Sequence, residues 1–256
     1  MTHTHELDKK RVAIIAGGAK GIGFSTVKKF TESGYDCFVI DRDESAIEEA
    51  STQLSGSAIK WFCLDLLNDN NELESIFSNL AAYQSITLVN LIGGSRYGYK
   101  DTSQLTWQDV VDTFAFNLKP AFTLIQALLP LFKVRREGRI VNIGSITSRM
   151  PLKLTSLDYG CAKSALLGFS RHLSMELAGY PVLVNTVCPG IVGTERIKAR
   201  WDNRSDDENN AILDTIPLNR VAEPEDIAET IFFLGSENNR YMTGAIMDVN
   251  GGIYRP

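Results

Sequence analysis

Arg11-Val-Ala-Ile-Ile-Ala16-Gly17-Gly-Ala-Lys20-Gly21-Ile22-Gly23 reads as a strand, a glycine turn and the start of a helix in immediate succession. After its first residue the run to Ala16 is continuously apolar, the pattern of a strand buried on both faces. Glycines at the turn let the backbone bend tightly and approach a pyrophosphate, whose charge meets the exposed N–H groups at the helix start. The spacing here is Gly-x-x-x-Gly-x-Gly. A tight strand–helix connection needs glycine with no ligand at all, so the neighbouring elements decide between the two readings.

Outward from this stretch the alternation repeats. Asp36-Cys-Phe-Val-Ile-Asp41 makes a second strand after a helical segment closed by Gly34. It ends in an acid about twenty residues beyond the glycines, where a carboxylate meets an adenosine ribose. Asp41 accepts from ribose hydroxyls and repels a 2′-phosphate, which favours NAD; Lys20 and Arg42 are cations able to hold that phosphate, so NADP stays open. Ile59 to Leu64 is a third strand, with Asp65 at its end placed to meet an adenine amino group. Leu73, Ile76, Phe77 and Leu80 recur at helical spacing after the polar start Asn68-Asp-Asn-Asn71 and mark core packing. Ile86 to Ile92 is a fourth strand, followed by the Gly93-Gly94 turn.

Thr106-Trp-Gln-Asp109 resembles a capping box and opens a long apolar helix through Phe132. Within it Pro120 deprives the Phe116 carbonyl of its helical partner, which predicts a kink beside Asn117 and a place for an ordered water. Arg139 to Ile143, Pro181 to Cys188 and Ala245 to Val249 are the remaining strands, with helices from Tyr159 to Ala178 and from Glu223 to Leu234 among them. Strands alternating with helical patterns predict an α/β fold, a Rossmann-like doubly wound parallel sheet of about seven strands with helices on both faces.

With 256 residues, 44% of them hydrophobic, the chain can bury one sizeable core; residues 10–256 read as a single domain behind a flexible tail of residues 1–9. A net charge of −5 argues against a nucleic-acid partner. The polar start from Met1 to Asp8 lacks the apolar centre of a signal peptide. Ala121 to Phe132, the longest apolar stretch, falls short of the ~20 residues of a membrane span. A cytoplasmic protein with no membrane partner is expected. Cys37, Cys63, Cys161 and Cys188 show no Cys-x-x-Cys spacing, so free and mostly buried thiols are expected rather than disulfides or zinc. His3, His5 and His172 form no ligand pattern, and no metal is expected.

The chemistry concentrates between Ser145 and Lys163. Ser145 falls just past the end of the fifth strand, where ligands bind in open α/β sheets. A helix opened by Asp158 sets Tyr159 and Lys163 one turn apart on one face. A cation held there stabilises the phenolate and lowers the phenol from its ordinary value of about 10, so that the pair can move a proton near neutral pH. Tyr-x-x-x-Lys alone also occurs on ordinary surface helices; the glycine turn, Asp41 and Ser145 on the same sheet edge give it weight.

With these residues assembled, the chain resembles the short-chain dehydrogenase/reductase family, in its compact NAD(P)-dependent branch, from about Lys10 to the C-terminus. Gly17, Gly21 and Gly23, with Lys20 and Ile22 between them, are similar to the family's cofactor loop, although Ala16 stands where threonine is usual. Asp65, followed by Leu66, matches the adenine-binding acid. Asn90-Leu-Ile-Gly93 corresponds to the family's Asn-Asn-Ala-Gly, with Leu91 and Ile92 departing from it. Asn117, Ser145, Tyr159 and Lys163 match the catalytic tetrad in order and approximate spacing, and Pro189, Gly190, Val192 and Thr194 match the nicotinamide-side segment.

The resemblance implies an NAD(P)-dependent oxidoreductase interconverting a secondary alcohol and a ketone. Tyr159 then moves the proton, Lys163 lowers its pKa with help from oxidised nicotinamide and anchors the nicotinamide ribose, Ser145 steadies the substrate oxygen, and Asn117 holds a relay water. It also implies a homotetramer or homodimer built on the helices from Thr106 and Tyr159 and on the C-terminal strand. The alternative is a catalytically idle dinucleotide-binding regulatory protein of the same fold.

Residues 94–101, 147–157 and a lid over 194–216 are expected to line a substrate pocket. They carry Arg96, Arg149, Lys153, Arg196, Lys198 and Arg200, a cluster suited to a carboxylate-bearing small-molecule alcohol or ketone. Solvated loop charges balanced by Glu195, Asp202 and Asp206 account for the same residues without a ligand. Tyr97, Tyr99 and Trp201 can add apolar walls.

Overall fold

The computed structural model describes residues 10–68, 72–135, 137–153, 155–180 and 182–256. The tail with His3 and His5, the polar residues 69–71 and the Pro181 start of the sixth strand lie outside them. Strands β1 (Arg11–Ala16), β2 (Asp36–Asp41), β3 (Ile59–Cys63), β4 (Ser85–Asn90), β5 (Gly138–Ile143), β6 (Val182–Pro189) and β7 (Ile246–Val249) form one sheet. Every pairing is parallel, in the order β3-β2-β1-β4-β5-β6-β7. The order reverses between β1 and β4, where Ala16 pairs with Asn90, and ligands in such sheets bind in the crevice beyond that switch point.

The α-helices among the described residues are α1 (Gly21–Glu32), α2 (Glu44–Gln53), α3 (Glu72–Ser78), α4 (Trp107–Arg135), α5 (Leu157–Leu177), α6 (Glu195–Asp202), α7 (Asp206–Leu213) and α8 (Pro224–Gly235). Successive strand residues point to opposite faces, and each face has its own core. Ile14, Phe38, Leu88 and Ile140 pack against α3, α4 and α5 through Leu73, Leu128, Phe132 and Leu173. Ile15, Val39, Val89 and Val141 pack against α1 and α8 through Val27, Phe30, Ile227 and Ile231. The near-continuous apolar reading of β1 follows from this double burial.

Helix α4 starts at the expected capping box: Asp109 Oδ2 accepts from the Thr106 backbone N–H at 2.9 Å, and the Asp109 N–H donates to Thr106 Oγ1 at 3.1 Å. It continues through Pro120 and Pro130. By length and composition Trp107–Val134 passes as a membrane span, but its Leu124, Leu128 and Phe132 are buried in the sheet core. Helix α2 has no counterpart in the sequence reading. Its inward face is only Ala46 and Ala50, too small to make an apolar stripe, and its signal is the Asp43 cap, which accepts from the Ala46 N–H at 3.1 Å. The lid folds as two short helices, α6 and α7. Cys37 and Cys188 are buried while Cys63 and Cys161 are exposed, all four as free thiols, so burial holds for half of them.

Candidate active site

A cleft of about 630 Å³ opens at the C-terminal edge of the sheet, within the size range of small-molecule and cofactor sites. The turn after β1 lines it, together with the ends of β2, β4, β5 and β6 and the start of α6. Gly17 and Gly21 stand at φ +81° and +53°, where an L side chain is strained, and a Cβ on Gly23 would run into the Gly17 carbonyl oxygen. Helix α1 has no side-chain cap and no acid in its first turn, so no acidic side chain offsets its dipole at the cleft, although the Gly23 and Phe24 N–H groups donate to the Lys20 carbonyl at 3.1 and 3.3 Å. The segment after β6 closes on this turn, with Thr194 Cγ2 3.0 Å from where a Gly21 Cβ would lie.

At the end of β2 the Asp41 carboxylate accepts from three backbone N–H groups: Ala19 at 3.1 Å, Arg42 at 2.8 Å and Asp43 at 3.2 Å. They fix the carboxylate against the glycine turn. The cations flanking it already face acids. Lys20 donates to Asp43 at 2.9 Å, and that hydrogen bond, with those from Ser45 and the Ala46 N–H, holds the Asp43 carboxyl down at about 2. Arg42 lies over the Phe116 ring at 5.6 Å and 3.9 Å from Asp65. The open helix start, the cradle a Cβ would fill and the carboxylate at the end of β2 fit a dinucleotide. Ile22, Leu66, Gly93, Pro189, Gly190 and Val192 also line the cleft. Asn90 does not. Its Nδ2 donates to Asn142 Oδ1 on β5 at 2.6 Å, because the two residues are paired in register and turn into the sheet.

Ser145, Tyr159 and Lys163 meet on the cleft wall. Ser145 ends the β5 crossing and precedes a short 3-10 turn, Ile146–Ser148. Its Oγ accepts from the Thr147 N–H at 3.2 Å and from Thr147 Oγ1 at 2.9 Å, which leaves its own proton free to donate. Tyr159 and Lys163 share one face of α5, as expected. Lys163 is 3% exposed and donates to the Ile143 carbonyl at 2.7 Å; burial brings its ammonium down to about 8.

The protein's own groups do not by themselves lower the phenol. Burial raises Tyr159 above its ordinary value, and the groups pulling it back are the Ser145 hydroxyl and the Arg196 guanidinium. Lys163 is turned to the Ile143 carbonyl and is itself desolvated.

Asn117 is 1% exposed. Its Nδ2 donates to the Gly94 and Thr113 carbonyls at 3.1 and 2.8 Å, and its Oδ1 accepts from the Gly94 N–H at 2.9 Å. The amide therefore holds the Gly93-Gly94 turn. Thr113, one turn earlier, donates to the buried Asp158 carboxylate at 2.6 Å and so ties α4 to the start of α5 beside Tyr159.

The expected substrate cluster disperses. Arg149 leaves the cleft: its Nε donates to both Asp248 oxygens at 3.0 and 3.2 Å and its guanidinium lies over the Tyr254 ring, because the 3-10 turn after Ser145 swings it toward β7. Arg96 lies over Tyr97 and Phe116, and the Tyr97 hydroxyl donates to Asp112 at 2.8 Å, so both belong to the flank of α4. Lys153, Lys198 and Trp201 are also off the cleft wall; Arg196 and Arg200 remain on it, with Tyr99. Phe116, Leu152 and Glu195 line the cleft as well, although the sequence did not mark their side chains as site residues. Their signal was only proximity to Asn117, Tyr159 and Thr194.

The family model described as enoyl-(acyl carrier protein) reductase matches residues 17–254. The 3-oxoacyl-acyl-carrier-protein reductase FabG of Chlamydia muridarum is 33% identical over 249 residues, covering 95% of this chain and 97% of that protein. The chain belongs to the short-chain dehydrogenase/reductase family. Among solved structures, ElxO with NADP bound has a TM-score of 0.85 at 26% identity, over 96% of this chain and 98% of that one. A 3-oxoacyl-acyl-carrier-protein reductase with bound NAD from Brucella melitensis has a TM-score of 0.85 at 25% identity, over 97% and 93% of the two chains. Family relatives thus bind either nicotinamide dinucleotide, and the chain carries the fold and cleft of this oxidoreductase family.

Proposed function

We propose that the protein is a ketoreductase that interconverts a ketone and a secondary alcohol with a nicotinamide dinucleotide. The observation carrying this reading is the meeting of Ser145, Tyr159 and Lys163 on a cleft whose other end is the glycine turn and Asp41. Gly17, Gly21, Gly23 and Asp41 would hold the dinucleotide, with Pro189, Gly190, Val192 and Thr194 on its nicotinamide side. Bound there, the reduced nicotinamide supplies a hydride that no side chain can provide.

The chain's own residues move the proton and orient the ketone. A phenol raised above its ordinary value is protonated at neutral pH, so Tyr159 is ready to donate to a carbonyl oxygen. Ser145, accepting from Thr147, directs its free proton at the same oxygen and stabilises the charge that builds there. Lys163 adds positive charge, and Asn117 keeps the Gly94 backbone in place. Asp41, with Lys20 and Arg42 each facing an acid, favours NAD over NADP. We place the protein in the cytoplasm as a homotetramer.

A panel of ketones and secondary alcohols run with NADH and NADPH in parallel, followed at the nicotinamide absorbance, tests the reading. Reduction of at least one ketone, faster with NADH, supports it. NADH binding without turnover of any member would instead favour the idle dinucleotide-binding protein.

A further inference from the structure

The lid helix begins by sorting its charges. Thr194 abuts the glycine turn, and the next two side chains diverge: Glu195 acts on Lys20 at the cofactor turn, while Arg196 reaches the catalytic end. There its guanidinium lies against Gly94, so that a Cβ on that residue would sit 2.9 Å from one terminal nitrogen and 3.7 Å from Cζ. Gly94 stands at φ +145°, and both its conformation and its missing side chain let the guanidinium approach the turn that Asn117 holds.

Among the described residues, Arg42, Arg149 and Arg220 each face a carboxylate, and Arg196 faces none and donates no hydrogen bond. Arg200, one helical turn on and on the same cleft wall, is likewise without an acid among the described residues. Arg196 bears on both working groups, favouring ionised Tyr159 and disfavouring charged Lys163. Two cations facing one space repel each other, and an anion bound between them relieves that repulsion. Tyr99, Ile146 and Leu152 supply apolar lining to the same cleft, suited to a short carbon chain.

We propose that the substrate is a small oxo acid or hydroxy acid whose carboxylate is held by Arg196, with Arg200 as the second cation. This rests on the ketoreductase reading of the same cleft. The reaction balances without touching the carboxylate: the carbonyl carbon gains a hydride with its electron pair from reduced nicotinamide, and the oxygen gains the Tyr159 proton. A planar guanidinium binds a carboxylate through paired N–H donors, which a point charge does less well.

The test compares 2-, 3- and 4-oxo carboxylates with their methyl esters on the wild-type enzyme, using NADH and NADPH. For at least one chain length the acid should exceed its ester in kcat/KM by roughly tenfold or more, the effect of one charge-assisted hydrogen bond. Arg196→Met should bring that ratio toward one, and Arg196→Lys should recover part of it. Esters equal to or better than acids at every length, or a ratio unchanged in Arg196→Met, would overturn the proposal. A second arm needs no turnover: the wild-type enzyme with NADH is titrated with the matching unreducible alkanoates, read by nicotinamide fluorescence. Saturable binding that Arg196→Met weakens at least about tenfold supports the carboxylate site, and equal binding by both proteins overturns it. If no ketone is reduced, the ketoreductase reading falls on its own while the alkanoate titration still decides the role of Arg196.

Discussion

At Lys163 burial opposes the charged form, bringing the ammonium to about 8 from its ordinary 10.5. The unfolded chain therefore binds more protons than the folded one between those values, so stability rises with pH across that window and is diminished below it. Lys163→Met should stabilise the free protein at pH 7 by at most roughly 3 kcal/mol, less whatever the Ile143 carbonyl loses with its donor. Denaturant titrations at pH 7 and 10.5 should show the gain at the first and little at the second; an equal gain at both would contradict a charged buried amine. Tyr159 moves the other way, its phenol raised by burial despite Ser145 and Arg196. Ketone reduction should accordingly be flat through neutral pH and fall on the alkaline side as the phenol ionises. Alcohol oxidation should rise over the same range, and pH–rate profiles in both directions check the pair.

Among the elements, the loop after β5 is held from outside the cleft. Arg149 spans from its 3-10 turn to Asp248 on β7, with both side chains mostly buried. Arg149→Met leaves that carboxylate without its partner and should destabilise the fold by roughly 2–4 kcal/mol while leaving substrate KM little changed. A large rise in KM at unchanged stability would restore Arg149 to the substrate site. Nothing within the segment 147–157 announces this role, because the partner is 99 residues away and is set by the register of β6 with β7. Asn90 was obscured in the same way: its side chain belongs to Asn142 through the pairing of β4 with β5. The glycine turn, the Asp41 strand end and the Tyr159–Lys163 face were legible because each depends on local constraints: backbone dihedrals, a strand end, the helical repeat. Helix α2, with only Ala46 and Ala50 inward, offered no such periodicity.

For the molecule as a whole, alternating strands and helices foretold the doubly wound sheet, and the side-chain pattern of β1 foretold two covered faces. The β3-β2-β1-β4 order that creates the crevice lies in long-range pairing and not in any one segment. Beyond the sheet, α4 and α5 expose Trp107 at 78%, Phe122 at 53%, Leu157 at 51% and Met175 at 81%. Apolar side chains left on these two helices support the proposed homotetramer. Light scattering should return four times the 28.3 kDa chain mass, and a monomer would refute it. Every element converging on the cleft serves one claim, that Tyr159 gives the proton while a bound nicotinamide gives the hydride. The direct measurement is the Tyr159→Phe enzyme, assayed for NADH binding and for ketone reduction on the same preparation. The account predicts cofactor affinity within a few-fold of wild type and turnover lower by roughly 10²–10⁴; near-normal turnover would remove the phenol from the reaction.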